Sequence, residues 1–291
     1  MIMNMIKITV VLCILALKSS FAQFEFSSVG ARAVGLNGAF TSLSDNSLAV
    51  FYNPAGLGQI SFREISAYYG PSQYGISEIS TAALTYTEAL DFGTFGIGLK
   101  TYGFELYRES ELTLSYGNNF GKKIFLGLNL NYYDLTIQNY NSASSFGADI
   151  GGLAYLTGFL KWGFFAGNIT GSKIGESDQR ISQIYRTGFT VQPETDLNMI
   201  LEFEKDVKFP LSFRGGLEYF VNEYVDLRAG IGTQPDSFSG GISLNYNILQ
   251  LDYAITNHQD LGMTNQISVT VNFGGSKARK LIREQLKNSF K

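Results

Sequence analysis

The sequence predicts an all-β membrane protein built as a fourteen-stranded antiparallel transmembrane β-barrel. Three observations carry this. Charged residues make up only 16% of the chain, while glycine (32), phenylalanine (23) and tyrosine (17) are abundant. Soluble domains usually carry about 25% charged residues. Beyond residue 22 no stretch is apolar for the roughly 18 residues that a membrane helix needs. From Arg63 to Phe273 apolar and polar residues instead alternate in short segments separated by turns. A barrel strand reads this way because one face meets lipid and the other the lumen.

The N-terminus comes first. One positive charge in "MIMNMIK", the apolar "ITVVLCILAL" and the small residues of "KSSFA" predict a secretory signal peptide over 1–22, cleaved after Ala22. Cys13, the single cysteine, lies in that apolar core. The predicted mature chain therefore has no disulfide. Next, "LAVFYNPAGLGQI" (48–60) is apolar but does not alternate.

Fourteen strands follow, at about 63–70, 79–91, 94–103, 109–118, 123–136, 144–156, 160–169, 182–191, 196–205, 209–221, 224–233, 237–246, 248–257 and 264–273. "QISVTVNF" sets Ile267, Val269, Val271 and Phe273 on one face, with Gln266, Ser268, Thr270 and Asn272 on the other. A soluble sandwich also alternates, so connection length has to separate the two architectures. The turns expected on the periplasmic side, such as "DFGT" and "YNI", are short. Those expected at the cell surface, such as "YGFELYRE", "TGSKIGESDQRIS" and "ITNHQDLGMT", are longer. Barrels show that asymmetry. Tyr86, Tyr116, Tyr132, Trp162 and Tyr219 are candidates for interfacial aromatic girdles.

The alternation turns Lys100, Glu111, Lys161, Arg186, Glu202, Glu204, Arg214, Glu218, Asp226, Arg228 and Asp252 toward the lumen. Enclosed charges must pair or be wetted. Arg214 with Glu218, and Asp226 with Arg228, are expected to form cross-strand pairs. Gly96, Gly98, Gly147, Gly151, Gly216 and Gly230 also face inward and leave room.

No catalytic constellation stands out. The single histidine, His258, sits near Asp260 in an expected surface loop. No metal-ligand spacing, phosphate loop or cofactor motif is present. Formal charge is −3; without Lys7 and Lys18 it is −5, and the +5 tail leaves the body near −10. That balance excludes a nucleic-acid surface. In the tail, Ala278, Leu281, Ile282 and Leu286 fall at helical spacing among basic residues. This predicts a basic periplasmic segment, 275–291, that lies on anionic lipid, binds a partner or stays solvated.

Two segments carry a family resemblance. "GARAVGLNGAFTSLSDNSLAVFYNPAGLGQI" (30–60) resembles the N-terminal segment of the PorV/PorQ outer-membrane proteins, members of the FadL-type superfamily. "LDYAITNHQDLGMTNQISVTVNFG" (251–274) resembles their closing hairpin. The resemblance implies a non-enzymatic barrel (62–274) in a Gram-negative outer membrane. It also implies that segment 23–61 folds back into the lumen as a short helical plug. The plug motif is Gly35, Gly38, Asn53, Pro54, Ala55 and Gly56, and the principal lumen charges are Lys100, Arg214, Glu218, Asp226, Arg228 and Asp252. Val50, Phe51 and Leu57 are then expected to pack on the inward glycines, with Asn53 anchoring the turn. The implied partners are outer-membrane lipids and either a hydrophobic small molecule, taken across the membrane, or proteins of type IX secretion. The intact plug motif, with no partner-binding insertions evident, favours the first.

Overall fold

The structure is a computed structural model that describes Phe24 and residues 27–121, 123–139, 142–175, 180–259, 262–275 and 278–288. The expected signal peptide and Asp260 lie outside the described residues. The strands are β1 (Glu64–Gly70), β2 (Ser80–Leu90), β3 (Gly93–Phe104), β4 (Tyr107–Phe120), β5 (Ile124–Ile137), β6 (Ala143–Tyr155) and β7 (Leu160–Gly167). They continue as β8 (Ile184–Val191), β9 (Leu197–Asp206), β10 (Ser212–Phe220), β11 (Val225–Gly232), β12 (Ser237–Tyr246), β13 (Leu249–His258) and β14 (Gly262–Asn272). Each pairs antiparallel with its sequence neighbours, and β1 also pairs with β14, which closes the barrel. Closure leaves no strand edge, the condition for a sheet in hydrocarbon. No helix among the described residues is long and apolar enough to cross a membrane.

The two faces are opposite in character. Leu84, Phe95, Ile97, Leu99, Leu114, Leu126, Leu128 and Leu130 are exposed on the outside, while Thr85, Thr113, Ser115, Asn129 and Asn131 are buried inside. β14 repeats the pattern: Ile267 and Val269 point out, and Gln266, Ser268, Thr270 and Asn272 point in. This inverts a soluble protein, where the apolar face is the buried one, and matches a wall solvated by lipid.

β1 begins and β14 ends at the same rim, where Glu64 is paired with Asn272. We call this the terminal end, and the opposite rim the far end. Loop asymmetry is weaker than the sequence suggests. "YGFELYRE" is mostly strand, its turn being only Glu105 and Leu106. "ITNHQDLGMT" is strand up to His258 and again from Gly262. In both, strand pairing runs up to the turn, with Phe104 opposite Tyr107 and His258 opposite Gly262, so a long hairpin replaces a loop. The asymmetry rests on 71–79 and 168–183. In the latter, Ile174 and Ile181 pack with Tyr133, Leu135 and Phe24 over the far mouth.

The segment before β1 forms two short helices, α1 (Ala31–Val34) and α2 (Ala49–Tyr52), and a 3₁₀ turn over Pro54–Gln59. It is buried along almost its whole length. After β14 comes α3 (Ala278–Asn288). Sequence alone leaves this helix on lipid, on a partner or in solvent. Instead Ala278 and Ile282 pack against the buried apolar residues that include Ile60 and Phe62.

Candidate functional site in the barrel lumen

Segment 27–62 lies against inward-facing residues around most of the barrel. Its second half meets β3 to β7, and glycine makes the contact possible. A Cβ on Gly127 would stand 2.3 Å from the Pro54 carbonyl carbon and 2.4 Å from the Ala55 nitrogen. One on Gly117 would meet the Pro54 oxygen at 2.5 Å, and one on Gly163 would meet Ser42 Cα at 2.6 Å. Real Cβ contacts are never this short, so backbone packs directly on backbone. Val50 and Phe51 sit over Gly98, and Val50 and Leu57 over Gly96.

The turn at the centre is set by Asn53 and Pro54. Pro54 biases its predecessor away from the helical region, and Asn53 is extended at φ −165°, ψ 102°. This ends α2. The Asn53 side chain then works in both directions. Its Oδ1 accepts from Ala55 N at 3.1 Å, and its Nδ2 donates to the carbonyls of Thr41 (2.9 Å) and Gly152 (3.1 Å). The anchor on the wall is thus a strand carbonyl rather than a polar side chain. Gly56 rests on Ser44, with room for no Cβ, as the Ser44 oxygen would lie 2.1 Å away. Ala55 is fully buried.

The first half meets β8 to β14, which carry most of the buried charge. Arg32, 2% exposed, forks onto Glu218 with two hydrogen bonds of 2.8 Å and bonds Asp45 at 2.5 Å. Glu218 also accepts from Arg228 Nε at 2.8 Å, and Arg228 reaches Asp252 at 3.1 Å and Asp226 at 3.5 Å. Ser243 bonds the same Asp252 carboxylate. A second cluster lies beside it. Glu204 takes Arg186 and Arg214, each at 2.6 Å, while Glu202 accepts the backbone N–H groups of Phe40 (3.1 Å) and Thr41 (2.8 Å). Gly35 approaches Gly241, and Gly38, at φ +76°, brings the chain under the Arg214 guanidinium. Lys100 pairs with Glu111 at 2.5 Å, apart from both clusters, with its ammonium 5.9 Å from the Phe51 ring.

The expected pairing is therefore corrected. Arg214 and Glu218 share a strand and do not pair with each other. Arg214 lies opposite Glu202, whose Oε2 is taken by Phe40 and Thr41, and it reaches Glu204 instead. Glu218 pairs with Arg228 directly across the sheet. Asp226 and Arg228 also share a strand, two residues apart, so their contact is not cross-strand. His258 closes β13 opposite Gly262 rather than lying in a loop. Sequence reasoning did not reach the partners of Arg32, Glu64 or Arg279. It also passed over Gly117, Gly127 and Gly163, although the inward neighbours Ser115 and Asn129 had the parity to reveal the first two.

Known proteins share this fold but not this sequence. No protein-family model matches the chain, and no curated protein matches it. Solved structures do. The monoaromatic hydrocarbon channel CymD aligns at TM-score 0.65 and 11% identity, over 86% of this chain and 98% of its own. The Pseudomonas putida toluene transporter TodX aligns at 0.61 and 12%, over 86% and 98%. A Pseudomonas aeruginosa FadL homologue aligns at 0.63 and 13%, over 87% and 100%. At such identities the likeness is one of fold alone, that of the closed antiparallel barrel described above.

Proposed function

We propose that this protein is an outer-membrane β-barrel whose N-terminal segment plugs the lumen, and that small hydrophobic molecules pass through it. The observation that carries the reading is the mutual fit of segment 27–62 and the inward wall, inside a barrel with an apolar exterior. A barrel that served only as an anchor could fill its lumen with its own side chains. This one keeps glycines where a separate segment enters. The fold neighbours whose titles name a monoaromatic hydrocarbon channel and a toluene transporter support the same class of cargo. In this reading residues 1–22 are the signal peptide, 23–61 the plug, 62–274 the barrel and 275–291 a periplasmic tail. The plug motif and lumen charges named from sequence hold the closed state. Type IX secretion, the alternative implied by the PorV/PorQ resemblance, draws support from neither the structure nor its neighbours.

The test is uptake of the hydrophobic dye 1-N-phenylnaphthylamine by cells carrying the protein. Pro54→Leu relaxes the restraint on Asn53 and loosens the turn seated on Gly127. Dye entry should rise by several-fold at equal protein level. Unchanged entry, or recovery of the protein outside the outer-membrane fraction, sinks the proposal.

A further inference from the structure

The charge network extends beyond the barrel wall into the C-terminal helix. Arg279, in the first turn of α3, sends its guanidinium back into the lumen. Nη2 donates to Glu64 Oε2 at 2.6 Å, and Nη1 to Gln250 Oε1 at 2.7 Å. Glu64 is fully buried, and its other oxygen accepts the backbone N–H of Ser47, just before α2, at 2.8 Å. Gln250 donates to Asp252 at 2.8 Å, which holds Arg228, which holds Glu218, which holds Arg32. One chain of hydrogen bonds thus leaves the N-terminal segment at Arg32, runs along the inner face of the wall, passes through Arg279 of α3 and returns at Ser47.

Packing brings α3 to the same place. Gly274 sits against Phe62 and Ala278, and Ile282 is seated beside Ala55, Phe125, Leu153 and Tyr155. Beside the helix, at the terminal end, is a cavity of about 530 Å³ that has an apolar side, with Phe220, Ile248, Leu249 and Leu281, and a polar one, with Asp226 and Arg279. By contrast, the cavity between Phe51, Lys100 and Tyr133 holds only about 50 Å³.

We propose that α3 is an inner latch, with Arg279 as its bolt, and that the cavity beside it is the vestibule into which a passing apolar molecule emerges. The proposal rests on the reading that hydrophobic molecules cross this barrel. Its physical basis is the Glu64 carboxylate. A buried carboxylate needs both a hydrogen bond and a counter-charge. While Arg279 is in place, Glu64 holds the Ser47 end of the plug. When α3 withdraws, the carboxylate draws in water, and the bond to Ser47 weakens with it.

The experiment uses folded full-length protein in which Cys13 is replaced by serine and Ser47→Cys supplies one buried thiol. Labelling of that thiol by a water-soluble maleimide reads how often the inner end opens. Arg279→Ala should raise the rate about tenfold or more, since labelling follows the population of the open state. Arg279→Lys, which keeps the charge, should restore most of the protection. To separate opening from misfolding, a protease site placed after Gly275 is cut only once the barrel has folded. Cutting should raise labelling as Arg279→Ala does. Unchanged labelling in both the cut protein and Arg279→Ala overturns the latch, whatever dye flux does. Raised labelling with raised flux of 1-N-phenylnaphthylamine into proteoliposomes supports it. Raised labelling with flat flux keeps the latch and removes the hydrophobic-passage reading beneath it.

Discussion

The lumen has two walls that hold one segment by different means. From β3 to β7 the contact is shape: Gly96, Gly98, Gly117, Gly127, Gly151 and Gly163 receive Ser42, Val50, Phe51, Pro54 and Leu57 with no space for a Cβ. From β8 to β14 it is charge: Glu202, Glu218 and their partners bind Arg32 and the N–H groups of Phe40 and Thr41. The division is not complete, since Gly216 and Gly230 admit Leu36 and Asn37 on the charged side. It still teaches something about opening. A shape contact forfeits about a quarter to a half of its attraction over a gap of about 0.5–1 Å. A buried charged contact resists separation until water reaches both ions. The glycine wall therefore fixes where the segment sits, and the charged wall fixes how hard it is to remove.

The sharpest way to break the comparison is to fill the glycine wall. Gly127→Val forces a side chain into the backbone of Pro54 and Ala55. Neither can shift without unseating the turn. Overpacking of this kind costs about 1–3 kcal/mol or more, and here the upper end or beyond is expected, with the turn displaced. Gly152 is the control: it is on the outer face, and its Cβ would meet only Leu126, at 4.0 Å. Gly152→Val should be nearly neutral. The two are compared by the temperature at which the folded band is lost on unheated gels. Equal losses would show that the inner glycines are not a fitted surface.

The next largest effect tests the charged wall. Arg32→Met removes the cation that Glu218 and Asp45 share. Glu218 keeps Arg228, but all three groups are almost wholly buried, so the cost should approach the usual penalty for breaking a buried pair, about 3–5 kcal/mol. Arg214→Met should cost clearly less, because Arg214 and its partner Glu204 are 15% and 12% exposed and water can reach the carboxylate, whereas Arg32 and Glu218 are 2% and 0% exposed. Denaturant unfolding in detergent orders the two. If Arg214→Met proves the more damaging, the Arg32 cluster is not the principal tie.

Much of the barrel is legible in the sequence because lipid and lumen impose a strict period of two. Lys161, Arg186, Glu202, Glu218, Asp226, Arg228 and Asp252 are buried, as an inward position requires. What the period does not encode is stagger. The partner of Arg214 depends on how β9 is offset against β10 and on Phe40 and Thr41 occupying Glu202. Arg32 finds Glu218 186 positions along the chain, a meeting that follows only from closure around the segment. The contacts of α3 were not legible for a related reason. Its basic, amphipathic pattern also fits a membrane surface, and only the buried Glu64 and Gln250 show why Arg279 turns inward.

The smallest predicted effect falls where the two halves of the segment join. The Tyr52 hydroxyl accepts from Val29 N at 3.1 Å and donates to Val29 O at 3.0 Å. It thereby ties α2 to the chain entering α1. Its ring lies 5.2 Å from Phe40 and 5.9 Å from the Arg186 guanidinium, so it also touches the charged wall. Tyr52→Phe keeps the ring and removes both bonds. A buried hydrogen bond contributes about 0.5–1.5 kcal/mol, so a loss of about 1–2 kcal/mol is expected, below that of Arg32→Met. Amide hydrogen exchange resolved along the chain gives the more telling result. If the halves act as one body, 29–41 and 47–59 should lose protection together. Loosening of 29–41 alone would mean that glycine packing holds its half unaided, and the segment would then open in two steps, beginning on the charged side.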